Sequence, residues 1–451
     1  MEKRKNITLF TRREILKIGF GLTAGTLLST LKTKSLAKNF DNKDKKNFKK
    51  TAKAVIQLWL WGGPSHLDTF DPKPEAGYDY TGPFNKDIQT NVSGIRINQM
   101  LPMLAKNADK YSIIRSMTHR NNGHETASYI VQTGREPGTG TVYPSVGAVV
   151  SFKKGYKAGY NGLLPPYIVI TSPQGRFSEA GFLGSFYKPF ATGGDPNKDP
   201  FIVEGITMPG VSLERQIDRK KLLYNLDTLG NSMKDEPLFI KTDDFREQAY
   251  ELILGKTGKV FDLSEEPVSV RERYGRNTFG QSCLLARRLV EKGVLYITIN
   301  YTGWDTHKEH FKFMNTMLPE MDRAFSALLE DLYDRGLLET TIVWWGGEFG
   351  RTPKINWSPP WNGGRDHWGN VFSTVLAGGG FKGGVVIGSS DSKGEEVKER
   401  PVYPVDVIEA IYERLGIDPE STVPHPRGYD VKIIPGPEEN IKRGGRLTEI
   451  L

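Results

Sequence analysis

The chain reads VLYITIN at Val294–Asn300, FKFMNTMLPEMDRAFSALLEDL at Phe311–Leu332 and TTIVWW at Thr340–Trp345. The outer two runs are apolar, β-branched and aromatic throughout, as in strands covered on both faces. The middle one places Phe311, Met314, Leu318, Met321, Phe325, Leu328 and Leu332 three or four positions apart, the stripe of an amphipathic helix that ends near Gly336. Working outward, further strand-like runs occur at Ala54–Trp61, Tyr111–Met117, Tyr167–Thr171 and Phe372–Ala377. Strands alternating with helices predict an α/β fold, a mostly parallel central sheet with helices on both faces. Gly155–Asn277 is rich in Gly, Pro and charge and reads as an insertion or cap.

With 451 residues, 37% of them hydrophobic, the chain can bury a substantial core. Cys283 is its one cysteine, which excludes an internal disulfide and a Cys-rich zinc site, so any metal must sit on His, Asp and Glu. The formal charge is +8, yet residues 1–37 carry +6 and residues 38–53 carry +5, leaving −3 on residues 54–451. A mildly acidic body gives no support for a nucleic-acid partner.

Five of the seven histidines stand in polar clusters that follow predicted strands or occupy Gly-rich loops, where open α/β sheets place their ligands. The clusters are Gly62–Asp71 with His66 and Asp68, Met117–Glu125 with His119, Arg120 and His124, and Gly303–His307 with Asp305. Two more are Gly346–Thr352 with Glu348 and Arg351, and Gly364–Trp368 with Arg365, Asp366 and His367. One His–Asp pair in a loop reads as a local hydrogen bond. Several at the same ends of the strands supply the imidazole and carboxylate ligands of a divalent ion. His310 and His425 read as ordinary structural histidines, and Trp61, Trp304, Trp345 and Trp368 as packing walls.

The N-terminal Thr11-Arg12-Arg13-Glu14-Ile15-Leu16-Lys17, followed by the apolar stretch Ile18–Leu31, resembles a twin-arginine export signal ending near Ala37. About 14 apolar residues fall short of the ~20 that span a bilayer. The expectation is an exported protein of the periplasm or cell surface, handled by the twin-arginine translocation machinery, with no transmembrane partner. Residues 38–53 read as a basic, solvated linker and 54–451 as the folded domain.

The motifs GGPSHLDTFDPKP at Gly62–Pro74, GGEFGRT at Gly346–Thr352 and GRDHW at Gly364–Trp368 resemble signatures of the domain-of-unknown-function 1501 family, usually placed with alkaline-phosphatase-like and sulfatase-like hydrolases. Asp305 and His307 before the Phe311–Leu332 helix, then Arg335-Gly336-Leu337 and the Thr340 strand, resemble the phosphodiesterase branch of that superfamily. In that pattern the strand ends in a metal-binding Asp-His pair, where this chain has Glu348 and Phe349. The resemblance implies Asp305, His307, Glu348, Asp366 and His367 as metal ligands. Members usually end the first strand in a ligand Asp; here Gly62-Gly63 stands there, so His66 or Asp68 would substitute. Counting back from Thr133-Gly134 to the nucleophile position lands on His124, with Thr126 as a displaced hydroxyl. His124 then has three readings: a metal ligand, a nucleophile, or the mark of a lost activity.

The expected function is an exported metal-dependent hydrolase of phosphate or sulfate esters, in which the metal activates a water or the nucleophile and neutralises the oxyanion. Zinc is the first expectation for the ion, with manganese or calcium behind it. Catalytic roles fall to His124, Thr126 and Arg351. Arg120 and Arg365 would grip the tetrahedral anion, each against the plainer reading of an ion pair with a nearby carboxylate. The alternative is a non-catalytic relative that binds an anionic or polysaccharide ligand of the envelope.

Overall fold

The computed structural model describes residues 51–138, 140–173, 179–206, 210–227, 247 and 249–451. The export-signal stretch 1–37 and most of the linker 38–53 lie outside them. Eight strands build the central sheet: β1 (Ala54–Leu60), β2 (Tyr111–Met117), β3 (Tyr167–Ile170), β4 (Phe190–Ala191), β5 (Tyr296–Tyr301), β6 (Thr341–Gly346), β7 (Phe372–Gly378) and β8 (Val385–Ile387). Their spatial order is β8-β2-β7-β6-β1-β5-β3-β4. β1 lies between β5 and β6 with both pairings parallel, Val55 opposite Tyr296 on one side and Ile342 on the other. Only β7 runs against its neighbours β2 and β6. The mostly parallel α/β sheet expected from the alternation is therefore present, with one strand reversed.

Full burial of β1, β6 and β7 follows from their unbroken apolar runs. Successive residues of β1 serve opposite cores. Ile56, Leu58 and Leu60 pack with Leu285 and Phe325, while Val55 and Trp59 pack with Val149, Val407 and Ile411. The longer helices among the described residues are α1 (His124–Thr133), α2 (Val146–Lys154), α3 (Leu213–Leu226), α4 (Thr278–Glu291), α5 (His310–Asp334) and α6 (Pro404–Leu415). α4 and α5 cover the first face, α2 and α6 the second; α3 lies outside both cores. Every residue of the predicted Phe311–Leu332 stripe is buried within α5. Within Gly155–Asn277, set aside above as an insertion or cap, β3 and β4 belong to the sheet itself, β4 as its edge strand and β3 between β4 and β5.

The topology gathers the loops after β1, β5 and β6 at one end of the sheet. Because β7 is reversed, the segment leading into it, His367–Trp368, arrives at that same end and pairs with Gly350–Arg351. The loop after β2 enters the N-terminus of α1 there, with His124 as its first residue.

Candidate metal centre

Asp305 is the hub. One carboxylate oxygen, Oδ1, lies 3.0 Å from His367 Nε2 and 3.0 Å from His307 Nε2, and also accepts from Arg351. The other, Oδ2, lies 3.2 Å from His124 Nε2. His124, Asp305 and His367 each bring one ligand atom to within 4.8 Å of the others, a group that could hold a metal ion. Two imidazoles and a carboxylate suit a borderline divalent ion. His307 flanks the group, 2.9 Å from His367 through Nε2.

Each side chain of the cluster is held from behind. His124 Nδ1 lies 2.7 Å from Oε1 of Glu348, which is fully buried and accepts the Gly62 amide at 2.9 Å. Glu348 Oε2 is buried with no hydrogen-bond partner among the described residues. His367 Nδ1 donates to the Asn122 carbonyl at 2.7 Å, and His307 Nδ1 lies 2.6 Å from Asp366 Oδ1. Trp61 stacks on His124 with centroids 5.2 Å apart, and Phe349 stacks on His367 at 4.5 Å. Such supports fix the ring plane and tautomer of a ligating histidine.

The electrostatics follow from these contacts. Hydrogen bonds that its ring nitrogens donate to the Asp305 and Glu348 carboxylates push His124 up to about 9, against the opposing effect of burial. Burial alone would raise the Asp305 carboxyl, but bonds from His124, His367 and Arg351 outweigh it and hold it well below the usual range.

Gly62-Gly63, the departure from a ligand Asp at the first strand end, has a steric cause. A Cβ on Gly62 would lie 2.2 Å from the Asp305 amide nitrogen, and one on Gly63 would lie 2.6 Å from the Phe349 ring; both glycines also have positive φ. The strand end is a backbone platform on which the Asp305 and Glu348 loops sit.

Several predicted residues stand elsewhere. Asp68 is a buried ion-pair partner, 2.9 Å from Arg365 Nε and 2.9 Å from His310 Nε2, so its oxygens are committed away from the cluster. His66 is buried with Nε2 2.8 Å from the Gly394 carbonyl. Neither substitutes for the first-strand ligand. Glu348 supports His124 from behind and does not belong to the converging group, and Asp366 stands in the same relation to His307. Arg351 is fully buried and donates to the carbonyls of Gly62, Gly63 and Arg365 as well as to Asp305. Arg365 donates to the carbonyls of Thr352, Pro353 and Tyr80 besides Asp68. Exposed Arg120 pairs with Glu396 at 2.8 Å. The plainer ion-pair reading thus describes all three guanidinium groups: main-chain carbonyls and carboxylates occupy the donors of Arg351 and Arg365, and Arg120 is paired through one nitrogen with Glu396. Thr126 is half-buried in the first turn of α1. Asn122 and the stacking roles of Trp61 and Phe349 were not among the expected site residues; an asparagine acting through its backbone carbonyl leaves no side-chain signature.

The fold and this cluster together define an α/β protein with a candidate divalent-metal centre at the carboxyl ends of its parallel strands. The chain belongs to the family described as "Protein of unknown function (DUF1501)", whose model matches residues 52–444. A comparison with curated proteins finds no match. Solved structures to which the chain is similar include Ps i-CgsB, at 12% identity and TM-score 0.39 over 87% of this chain and 74% of that one. Another is the PsFucS1 sulfatase from Pseudoalteromonas sp., at 14% identity and TM-score 0.35 over 82% and 68%. A third is the alkaline phosphatase from the Antarctic bacterium TAB5, at 12% identity and TM-score 0.36 over 81% and 98%. These superpositions are partial, and the chemistry of the site stands on this chain's own residues.

Proposed function

We propose that the protein is an exported, metal-dependent hydrolase of phosphate or sulfate esters, with His124, Asp305 and His367 holding a divalent ion, zinc before manganese or calcium. The observation that carries this reading is the convergence of two imidazoles and a carboxylate, contributed by three separate elements and each backed by its own partner. The donor set fits a divalent cation, and the partnerless buried Glu348 Oε2 adds negative potential behind it. A cation held there would supply Lewis-acid neutralisation of the ester oxyanion.

This chain's residues do the rest. Asp305 sets the position of both imidazoles and is itself braced by the buried Arg351. The first turn of α1 carries no side-chain cap, and the free amides of a helix N-terminus favour an anion beside the cluster. Trp61 and Phe349 wall one side of the centre by stacking on His124 and His367. His124 and Thr126 are the two residues to separate as nucleophile or ligand.

A second reading, a non-catalytic binder of an anionic or polysaccharide envelope ligand, is favoured by one observation. Arg351 and Arg365 are both committed to the scaffold, so neither meets a substrate anion. The test joins elemental analysis of the exported protein to assays on nitrophenyl phosphate, a phosphodiester and a sulfate ester, before and after chelation. Stoichiometric metal with chelator-sensitive turnover, lost in either His124→Ala or Thr126→Ala without loss of the fold, supports the hydrolase. Metal without turnover puts the binder first, and metal-free inactive protein overturns the metal centre.

A further inference from the structure

The two loops that bring Asp305 and His367 to the cluster each turn one polar side chain inward. Thr306, between Asp305 and His307, is buried, and so is Arg365, next to Asp366. Both meet the same carboxylate. Arg365 Nε lies 2.9 Å from Asp68 Oδ2, and its Nη2 donates to Oδ1 at 3.2 Å. His310 Nε2 lies 2.9 Å from the same Oδ2, and across that ring Nδ1 lies 2.6 Å from the Thr306 hydroxyl. Ionised beside Arg365, the Asp68 carboxylate only accepts, so His310 carries its proton on Nε2 and its Nδ1 accepts from the Thr306 O–H.

The order hydroxyl, imidazole, carboxylate is that of a nucleophile triad. Thr306, His310 and Asp68 are nevertheless at most 4% exposed, so no substrate reaches the hydroxyl. What such a chain of contacts can do is hold two loops at a set distance. The main chain closes the same circuit: the Arg365 amide donates to the Thr306 carbonyl at 3.2 Å, and a Cβ on Gly364 would lie 1.8 Å from the His307 carbonyl oxygen. Asp68 is itself fixed in the loop after β1, where Asn98 Nδ2 donates to the neighbouring Leu67 carbonyl at 3.2 Å.

We infer that Asp68 is a positioning residue, which fixes the spacing of the Asp305 and His367 loops through His310 and Thr306 on one side and Arg365 on the other. Only its effect on zinc rests on the metal centre proposed above; the clamp stands on the buried contacts. Replacing Asp68 would strand the buried Arg365, so the experiment cuts the relay elsewhere. Thr306→Val keeps the side-chain shape without the hydroxyl, and His310→Gln keeps a donor toward Asp68 without the acceptor at Nδ1. Hydrogen exchange of the full chain, read separately on residues 303–309 and 363–370, follows the two loops, and titration calorimetry follows zinc. Each variant should speed exchange in both segments and weaken zinc binding about tenfold, the lower end of the range for groups behind metal ligands. Thr306→Ser, which keeps the hydroxyl, should restore both. Tyr274→Phe, which removes another buried hydroxyl from its 2.8 Å contact with Asp331, controls for lost stability and should bind zinc as wild type. Unchanged exchange at 363–370 in both relay variants overturns the inference, as does unchanged zinc affinity once the segments have loosened. Wild-type protein that binds no zinc, with the two segments still loosening together in the variants, would count against the metal centre alone.

Discussion

His124 Nδ1 lies 2.7 Å from Oε1 of the fully buried Glu348, with the opposite ring nitrogen directed at Asp305. A carboxylate behind a histidine fixes which nitrogen carries the proton and aims the other at the ion. Glu348→Ala should therefore weaken zinc binding by about 10–100-fold, with Glu348→Gln intermediate because its amide oxygen still accepts from Nδ1–H. Titration calorimetry on the two variants checks this. Unchanged zinc affinity in the alanine variant would return Glu348 to a purely structural role.

Gly62 predicts a failure of a different kind. An added Cβ would strike the Asp305 amide nitrogen and the Trp304 carbonyl carbon, main-chain atoms that cannot swing aside. Positive φ compounds the strain. Gly62→Ala should lower both stability and metal affinity by displacing the Asp305 loop, whereas Gly77→Ala, at a positive φ with open space around it, should cost stability alone. Denaturant midpoints and zinc titrations on the pair separate the two effects.

These relationships show what the sequence could and could not disclose. The six apolar runs became β1, β2, β3, β5, β6 and β7 within two residues, because strands buried on both faces need such composition whatever their neighbours. The two-residue β4 and three-residue β8 are too short to carry a pattern. The reversal of β7 is a tertiary choice with no periodicity of its own, yet it alone carries His367 to the cluster. The motifs located Asp305, His124 and His367, since ligand-type residues stand out in Gly-rich loops. They could not say that Arg351 and Arg365 point at carbonyls, because a guanidinium aimed at the main chain has the same sequence signature as one aimed at a substrate.

Asp305→Asn tests the hub. The substitution keeps the shape but removes the charge that His124, His367 and Arg351 share. Zinc affinity should fall by more than about 100-fold, and any chelator-sensitive ester hydrolysis should vanish with it. The fold should persist, because Arg351 retains the carbonyls of Gly62, Gly63 and Arg365. A variant that melts like wild type and no longer binds zinc is the expected outcome; retained zinc affinity would place the ion elsewhere.

Acid should unfold the protein in two stages, and the signs can be worked out group by group. Burial holds His119 down at about 4, despite its bond to the Glu348 carbonyl, and holds His310 below its usual 6.5. Both are neutral in the fold, so the unfolded chain takes up protons first and stability declines as pH falls through 6.5. Burial alone would raise Asp68, but Arg365 and His310 outweigh it and pull the carboxyl down to about 2 from 3.8. Its contribution is complete above 3.8 and is lost as pH falls toward 2. Asp68→Asn leaves the buried Arg365 without its counter-charge and should cost about 3–5 kcal/mol at pH 7, while flattening the lower stage. Urea denaturation of both proteins at pH 7, 5 and 3 measures each stage. Equal wild-type stability at pH 7 and 5 would contradict the neutral, buried state assigned to the two histidines.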